Sequence, residues 1–302
     1  MQRRQALRWI GLAAATAAGG RWAHGESVVP LRTRPIPSTG EALPVIGLGT
    51  WQTFDVGRSA EERAPLDEVL AAFAVAGCKL VDTSPMYGAA EEVLGDVTAK
   101  LGLRSKLFLA TKVWTSGKQA GIQQMEASFR KLHASSIDLM QVHNLLDVEH
   151  HLDTLQEWKK AGRVRYVGIT HYTASAHEQV ARLLAARPLD FVQINYSVAE
   201  RDAERRVLPL ARERGIAVLA NRPFAGGDLL RRLRAKPLPA FAAEVGCSSW
   251  AQLLLKFVVA HPAITCAIPA TAKVAHLRDN MGAGRGELPD EALRSKIASA
   301  AA

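Results

Sequence analysis

The sequence predicts an α/β protein in which eight parallel strands alternate with helices and close into a (β/α)8 barrel, the TIM barrel. Its 302 residues are enough for one such barrel, which takes roughly 250. Apolar runs typical of buried strands alternate along the chain with amphipathic helical patterns. Hydrophobic residues make up 48% of the chain and charged residues 22%, which supports a large core and excludes a disordered, collagen-like or multi-pass membrane protein.

A short hairpin precedes the predicted barrel. Residues 30–44 are rich in Pro, Thr and Arg, and residues 38–41 (STGE) form a turn signal between two short extended runs. Eight strand-like apolar runs then begin near Val45, Lys79, Leu107, Ile137, Val164, Asp190, Ile216 and Ile264. Most of these starts are roughly 26 to 34 residues apart, which is the length of a strand, a helix and their loops.

Helical patterns fill the intervals between the strand-like runs. In the first interval apolar residues recur at i, i+3, i+4 and i+7, as Leu66, Val69, Leu70 and Phe73. The interval before the eighth run is longer, so we expect an extra short helix at 228–234, ahead of the seventh barrel helix. A doubly wound nucleotide-binding fold is the main alternative. Residues 47–49 (GLG) lack the third glycine of its phosphate motif, however, and no helix pattern follows them.

The first 25 residues have the layout of a signal peptide. Paired arginines Arg3 and Arg4 precede an apolar stretch at 9–18 and a small-x-small site at 23–25 (AHG). Residues 3–7 (RRQAL) resemble a twin-arginine signal, which implies export of a folded chain to the periplasm. The stretch is too short to span a bilayer, so no stable membrane insertion is expected. The alternative is an ordinary cytoplasmic start or a start codon upstream of the true one. Residues 30–302 then form a single barrel domain.

The basic balance of the chain does not predict a nucleic-acid partner. The formal net charge is +9, but residues 1–25 contribute four arginines and no acidic residue, and the other arginines are interspersed with acids on helical patterns. Cys78, Cys247 and Cys266 have no metal-ligand spacing and are expected to be buried thiols. His150 and His151 are interpreted as the solvated start of a helix, and no metal site is predicted.

Four polar residues follow three neighbouring strand-like runs at their carboxyl ends, where barrels of this class carry their chemistry. Asp82 ends the second run and Tyr87 lies in its loop, Lys112 is near the end of the third, and His143 ends the fourth. A phenol with a pKa of about 10 is a weak acid at neutral pH unless a cation stabilises its phenolate. Lys112 supplies that cation, Asp82 keeps it charged, and His143 orients a substrate oxygen beside Tyr87.

This arrangement resembles the aldo-keto reductase family, over about residues 44–284. Five segments stand in the order of the family's signatures: 47–51 (GLGTW), 82–88 (DTSPMYG), 110–112 (ATK), 142–144 (VHN) and 193–197 (QINYS). The resemblance implies that Tyr87 is the general acid, that Lys112 and Asp82 tune it, and that His143 orients the carbonyl group. It also implies a nicotinamide cofactor, bound extended across the barrel mouth, as the hydride donor.

The resemblance further implies a set of cofactor-binding residues. Thr170 and Gln193 match positions that hold the nicotinamide amide, and Arg222 and Gly226 are placed to meet the pyrophosphate. The adenosine site corresponds to Thr271, His276, Asp279 and Asn280. Two departures bear on the cofactor. Asn221 stands where the family has a stacking aromatic, and Ala270 and His276 replace a lysine and an arginine that favour a 2′-phosphate. The cofactor is therefore expected to be NADPH or NADH.

The predicted function is reduction of an aldehyde or ketone to an alcohol by a monomeric NAD(P)H-dependent oxidoreductase. Trp51 and Trp114 are candidates for the walls of the pocket that takes the small-molecule carbonyl substrate. One alternative is a nicotinamide-binding redox sensor or auxiliary module with little turnover. Another is a lyase or epimerase without a redox cofactor, in which Lys112 acts as an amine nucleophile.

Overall fold

A computed structural model describes residues 29–302 of the chain. The predicted signal peptide, including Arg3 and Arg4, lies outside the described residues. Within them, no helix is long and apolar enough to cross a membrane.

The predicted hairpin is present and closes one end of the barrel. Strands β1 (Thr33–Pro35) and β2 (Ala42–Pro44) pair antiparallel. The side chains of Ile36 and Leu43 are completely buried and pack in one apolar cluster with Phe108 and Tyr166 from the barrel interior. Because this cluster fills the amino-terminal end of the barrel, the carboxyl end of the strands is left as the open mouth.

Eight parallel strands form the barrel, which confirms the predicted fold class. They are β3 (Leu48–Gly49), β4 (Leu80–Asp82), β5 (Phe108–Val113), β6 (Ile137–His143), β7 (Val164–Thr170), β8 (Phe191–Asn195), β9 (Ala217–Asn221) and β10 (Cys266–Ala267). Each strand pairs with the next in chain order. Parallel bridges from Ile46 to Ala267 and from Gly49 to Ala270 join the first strand region to the last, so the sheet closes on itself.

Helices follow the strands on the outside of the barrel. They are α1 (Ala60–Val75), α2 (Ala90–Lys100), α3 (Lys118–Lys131), α4 (Val148–Lys160), α5 (His177–Ala186), α6 (Val207–Glu213), α7 (Asp228–Leu233), α8 (Trp250–Ala260), α9 (Val274–Gly282) and α10 (Glu291–Ala301). The helix α7 is the predicted extra helix and precedes α8, the seventh barrel helix. The first helix begins at a capping box in which Ser59 accepts from the N–H of Glu62 and the Glu62 carboxylate accepts from the N–H of Ser59.

The inward faces of the strands change from apolar to polar along the barrel axis. Side chains two residues apart share a face, so Leu80 in the interior cluster is followed by Asp82 on β4. On β5 and β6 the same period places Lys112 after Ala110, and Gln141 after Leu139. The polar layer therefore lies at the open mouth.

The cysteines are buried and free, as predicted, whereas one of the two adjacent histidines differs from its prediction. Of the pair at the start of α4, His150 is exposed beside Asp147. His151 is fully buried against Gly121 of α3, and its Nε2 donates to the Thr115 carbonyl oxygen at 2.7 Å. The interpretation of both as solvated was therefore wrong for His151. No cluster of metal-ligating side chains occurs in residues 29–302.

Candidate active site

A cavity of about 570 Å³ opens at the carboxyl ends of the strands. This volume suits a small-molecule or cofactor site. Twelve of the fourteen predicted site residues line it: Trp51, Asp82, Tyr87, His143, Thr170, Gln193, Arg222, Gly226, Thr271, His276, Asp279 and Asn280. Lys112 is buried behind the wall. Trp114 is not part of the wall, and its ring lies 6.5 Å from that of His143.

Asp82 and Lys112 form a buried ion pair below the cavity. The Lys112 Nζ donates to Oδ2 of Asp82 at 2.8 Å and to the carbonyl oxygen of Thr83 at 2.6 Å. Burial alone lowers the pKa of Lys112, but the negative charge of Asp82 and the hydrogen bond to it raise that pKa above its ordinary value. The ammonium group therefore stays protonated inside the barrel.

Tyr87 lies over this ion pair, in the loop between β4 and α2. A tight turn holds it, because its N–H donates to the carbonyl oxygen of Ser84 at 3.0 Å. The Nζ of Lys112 is 4.9 Å from the centroid of the phenol ring. Burial raises the pKa of Tyr87 above its ordinary value, and the positive charge of Lys112 opposes that rise. The phenol is thus protonated at neutral pH, and Lys112 stabilises the phenolate once the proton leaves.

His143 ends β6 and faces Tyr87 across the cavity floor. Their rings meet edge to face, with centroids 5.8 Å apart. Its Nδ1 lies 3.0 Å from Oγ of Ser84, which also accepts from the N–H of Met86. Burial and the charge of Lys112 lower the pKa of His143 to about 2. The ring is therefore neutral, and with the hydroxyl of Ser84 donating to Nδ1, we assign its single proton to Nε2.

Gln193 links Asp82 to the rim of the barrel. Its Nε2 donates to Oδ1 of Asp82 at 2.7 Å, and its Oε1 accepts from Oγ1 of Thr170 at 3.0 Å and from Nδ2 of Asn221 at 3.4 Å. Asn221 also donates to the carbonyl oxygen of His171 at 3.1 Å, while its buried Oδ1 has no hydrogen-bond partner within residues 29–302. Asn221, which departs from the family pattern, thus lines the cavity with an amide in place of an aromatic ring.

The loop after β9 adopts an unusual backbone. Arg222 has φ +52°, and Gly226 and Gly227 have φ +70° and +94°, a region that favours glycine. The guanidinium of Arg222 is 3.6 Å from Oε1 of Glu200, and a side chain at position 226 would meet it at 3.2 Å. The loop therefore places the Arg222 guanidinium beside the cavity, and the lack of a side chain at Gly226 leaves space next to that cation.

The far end of the cavity is formed by α9 and the segment before it. Asp279 accepts from Oγ of Ser249 and from Nε2 of Gln252, both at 2.8 Å, so its carboxylate is fixed to α8. Thr271 accepts from the N–H of Lys273 at 3.1 Å. The described side chains lining this end include His276 but no lysine or arginine.

Four polar or aromatic residues near the site were not predicted from the sequence. Ser84 and Asn144 lie within the signature segments 82–88 and 142–144. Asn144 has φ +53°, and its buried Oδ1 has no hydrogen-bond partner in the described part of the chain. Tyr172 lines the cavity, with its ring stacked on that of His171. Gln141 could have been found from its spacing, because it lies two residues before His143 and so on the same face of β6.

Comparisons with known proteins identify the family of the chain. The aldo/keto reductase family model matches residues 45–298. The chain is 30% identical to methylglyoxal reductase YeaE of Escherichia coli (strain K12), over 83% of this chain and 89% of that protein. Two structures of aldo/keto reductases from Klebsiella pneumoniae are also similar. One, in complex with NADP and acetate, has a TM-score of 0.73, 27% identity and coverage of 85% of this chain and 91% of that chain. The other, in complex with NADPH, has a TM-score of 0.74, 26% identity and coverage of 88% and 94%. The chain is an enzyme of the aldo/keto reductase family.

Proposed function

We propose that the protein reduces a small aldehyde or ketone to an alcohol with NADPH or NADH, and that Tyr87 is the general acid. The observation that carries the proposal is the protonated Tyr87 phenol above the buried Lys112–Asp82 pair, beside a neutral His143. The relatives add support, since one is named a methylglyoxal reductase and another binds NADPH. All the proposed site residues come from one chain, so we propose that a monomer is sufficient for activity.

The cavity wall fits a nicotinamide dinucleotide at three places. The Oδ1 of Asn221, which has no partner among the residues that the structure describes, is an acceptor suited to a carboxamide NH2 group. Arg222, in front of Gly226, is a cation suited to a pyrophosphate. Asn280 and Thr271 offer polar groups at the opposite end of the same cavity, where an adenosine would lie. When bound, the reduced nicotinamide supplies a hydride to the carbonyl carbon.

Tyr87 completes the reduction at the carbonyl oxygen. As negative charge develops on that oxygen, the phenol donates its proton, and the product leaves as an alcohol. The phenolate that remains is stabilised by the positive charge of Lys112 and takes up a proton from solvent before the next turnover. His143, neutral and protonated on Nε2, donates a hydrogen bond to the same carbonyl oxygen and so holds it next to Tyr87.

The geometry disfavours Lys112 as an amine nucleophile. Its side chain is completely buried, does not line the cavity, and is protonated because Asp82 lies beside it. A nucleophilic lysine requires a neutral amine within reach of the substrate. Lys112 therefore acts through its charge.

A turnover assay tests the proposal. We expect the purified protein to oxidise NADPH in the presence of members of a panel of simple aldehydes and ketones. Tyr87→Phe should bind NADPH with nearly unchanged affinity but lose several orders of magnitude in kcat, because the phenol proton is missing. Full activity of Tyr87→Phe would refute the role of Tyr87. Tight NADPH binding by the wild type without hydride transfer to any carbonyl compound would instead indicate a redox sensor.

A further inference from the structure

Gln141 is a buried polar residue that the proposed chemistry has not used. It lies on β6, two residues before His143, and pairs in register with Lys112 on β5. Its side chain is completely buried and does not line the cavity, so it touches neither substrate nor cofactor. Gln141 therefore belongs to the layer of inward-facing polar side chains below the cavity.

The amide of Gln141 points at Asp82. Its Nε2 lies 3.4 Å from Oδ1 of Asp82, the oxygen that also accepts from Nε2 of Gln193 at 2.7 Å. The other carboxylate oxygen accepts from Lys112. Since a carboxylate offers only acceptors, the NH2 end of Gln141 must face it. Asp82 is thus held between a cation on one oxygen and two amides on the other.

This orientation leaves the other end of the Gln141 amide unsatisfied. Its Oε1 is buried and has no hydrogen-bond partner among the described residues. A buried acceptor without a partner costs stability, so a leucine or methionine would be the more stable choice at this position. Gly168, next to Gln141 on β7, leaves room for the side chain, because a Cβ there would lie 3.3 Å from Cγ of Gln141. The barrel accommodates a polar group that packing alone does not require.

We propose that Gln141 is a positioning residue that directs the charge of Asp82 and thereby the acidity of Tyr87. Its N–H stabilises the carboxylate and reduces the pull of Asp82 on the Lys112 proton. More of the Lys112 charge then acts on Tyr87 and favours loss of the phenol proton. The inference rests on the proposed function, because the acid that it tunes is Tyr87.

The first test removes the N–H and keeps the shape. Gln141→Met should lower kcat/KM about tenfold, since a hydrogen bond to a charged group is lost. NADPH affinity, measured by fluorescence titration, should be unchanged. The melting temperature should change little, because removal of the unpartnered oxygen offsets loss of the hydrogen bond to Asp82. Lower kcat/KM with undiminished stability distinguishes positioning from a structural role. Wild-type kcat/KM in a folded Gln141→Met variant overturns the proposal.

The second test makes the donor depend on pH. In Gln141→Glu the introduced carboxyl faces three titratable groups: Asp82 of β4, Lys112 of β5 and His143 of its own strand. Its neighbours on β7 and β8, Gly168 and Gln193, are uncharged. When protonated, this carboxyl donates to Asp82 as the amide does, and when ionised it repels Asp82. The activity ratio of variant to wild type should therefore fall as pH rises, whereas the ratio for Gln141→Met should be flat. A pH-independent ratio for a folded Gln141→Glu variant also overturns the proposal.

Thr111→Val is the matched control. Thr111 precedes Lys112 on β5 but faces outward, where its Oγ1 donates to Glu91 at 2.6 Å. The variant should lose stability and keep kcat/KM.

One readout is independent of turnover. The onset of Tyr87 ionisation, taken as the ultraviolet difference between each protein and its Tyr87→Phe counterpart, should move to higher pH in Gln141→Met. An unmoved onset overturns the proposal even if no carbonyl substrate is found, while absent turnover alone refutes only the proposed function.

Discussion

The Nζ atom of Lys112 lies 2.8 Å from Oδ2 of Asp82, and the two side chains expose 0% and 3% of their surface. Two opposite charges at this distance in a buried site attract strongly, but each has lost most of its hydration. Each buried charge is therefore tolerated only while the other is present. Removal of either partner leaves a buried charge without compensation.

The first prediction concerns the stability of this pair. Lys112→Met should lower the free energy of unfolding by about 3–5 kcal/mol, because the Asp82 charge is left unpaired. The double variant Asp82→Asn with Lys112→Met should recover most of that loss, since no buried charge remains, yet it should stay inactive because the phenolate has lost its cation. Urea unfolding and a turnover assay measure the two effects.

The exposed pair of Lys100 and Asp67 provides a matched control. Lys100 exposes 66% of its side chain, although its Nζ is only 2.6 Å from Asp67. Lys100→Met should therefore change the free energy of unfolding by less than about 1 kcal/mol. If the two lysine variants cost the same, burial is not what makes the Lys112 pair sensitive.

The second prediction concerns stability in acid. His143 has a folded pKa of about 2, lowered by burial and by Lys112, against 6.5 for an ordinary histidine. Below about pH 6.5 the unfolded chain takes up a proton at this position and the folded chain does not, so stability falls as pH falls. At about pH 5 the loss from this group is ~2 kcal/mol. His143→Gln should remove that part of the acid-dependent loss.

Unfolding curves of both proteins over a pH series measure the effect. His150→Gln is the control, because His150 is exposed and its hydrogen bond to Asp147 raises its pKa, which is the opposite direction. This control should not reduce the loss of stability in acid. An equal acid dependence in wild type and His143→Gln would show that the imidazole is protonated in the folded protein.

The barrel and the centre of the site could be predicted from sequence because both follow regular spacing. Strand and helix patterns alternate along the chain, and the site residues occur at or just after the ends of the strands. Strand-end positions place Asp82 and His143 on the same edge as Lys112, and the loop after β4 brings Tyr87 over them. The carboxyl ends of parallel strands meet at one edge, so residues far apart in sequence converge there. The same logic extended by two residues predicts an inward-facing Gln141.

Other features depend on side-chain packing that spacing does not encode. His151 is buried because Gly121 on α3 leaves it room, and this needs the packing of two helices. Asp279 is tied to Ser249 of the loop before α8, a contact across the chain that fixes its carboxylate. Trp114 follows a strand as Trp51 does, but only Trp51 forms part of the cavity wall.

The third prediction concerns substrate binding at the mouth. Four large hydrophobic side chains near the mouth are partly exposed, at 40–48% of their surface: Trp51, Met86, Trp114 and Tyr172. An apolar substrate would bury part of that surface. Trp51→Ala should therefore raise KM for an aromatic aldehyde about tenfold, with a smaller effect for a short aliphatic aldehyde and little change in kcat.

Steady-state kinetics with a matched pair of aldehydes measure this selectivity. Val75→Ala is the control, because Val75 is 90% exposed at the end of α1 and does not line the cavity. It should leave both KM values unchanged. Equal effects of Trp51→Ala on the two aldehydes would place Trp51 outside the substrate contact.

The fourth prediction concerns the choice between NADPH and NADH. The described residues that line the α9 end of the cavity include Ala270 and His276, and no lysine or arginine side chain is among them. A 2′-phosphate carries nearly two negative charges, and a charged partner for it contributes roughly 1.5–3 kcal/mol. We therefore expect NADPH to bind less than about a thousandfold more tightly than NADH, since that ratio needs ~4 kcal/mol.

Supplying the missing charge should change this preference in one direction. Ala270→Lys should tighten NADPH binding roughly ten- to a hundredfold, because the ammonium group then faces the 2′-phosphate, and should leave NADH binding unchanged. Ala272→Lys adds the same charge at a neighbouring position that does not line the cavity and should have little effect. Fluorescence titration of the wild type and each variant with NADPH and with NADH gives the dissociation constants to be compared. A wild-type preference above a thousandfold, or an Ala270→Lys variant that binds NADPH no more tightly, would mean that the 2′-phosphate lies elsewhere on the cavity wall.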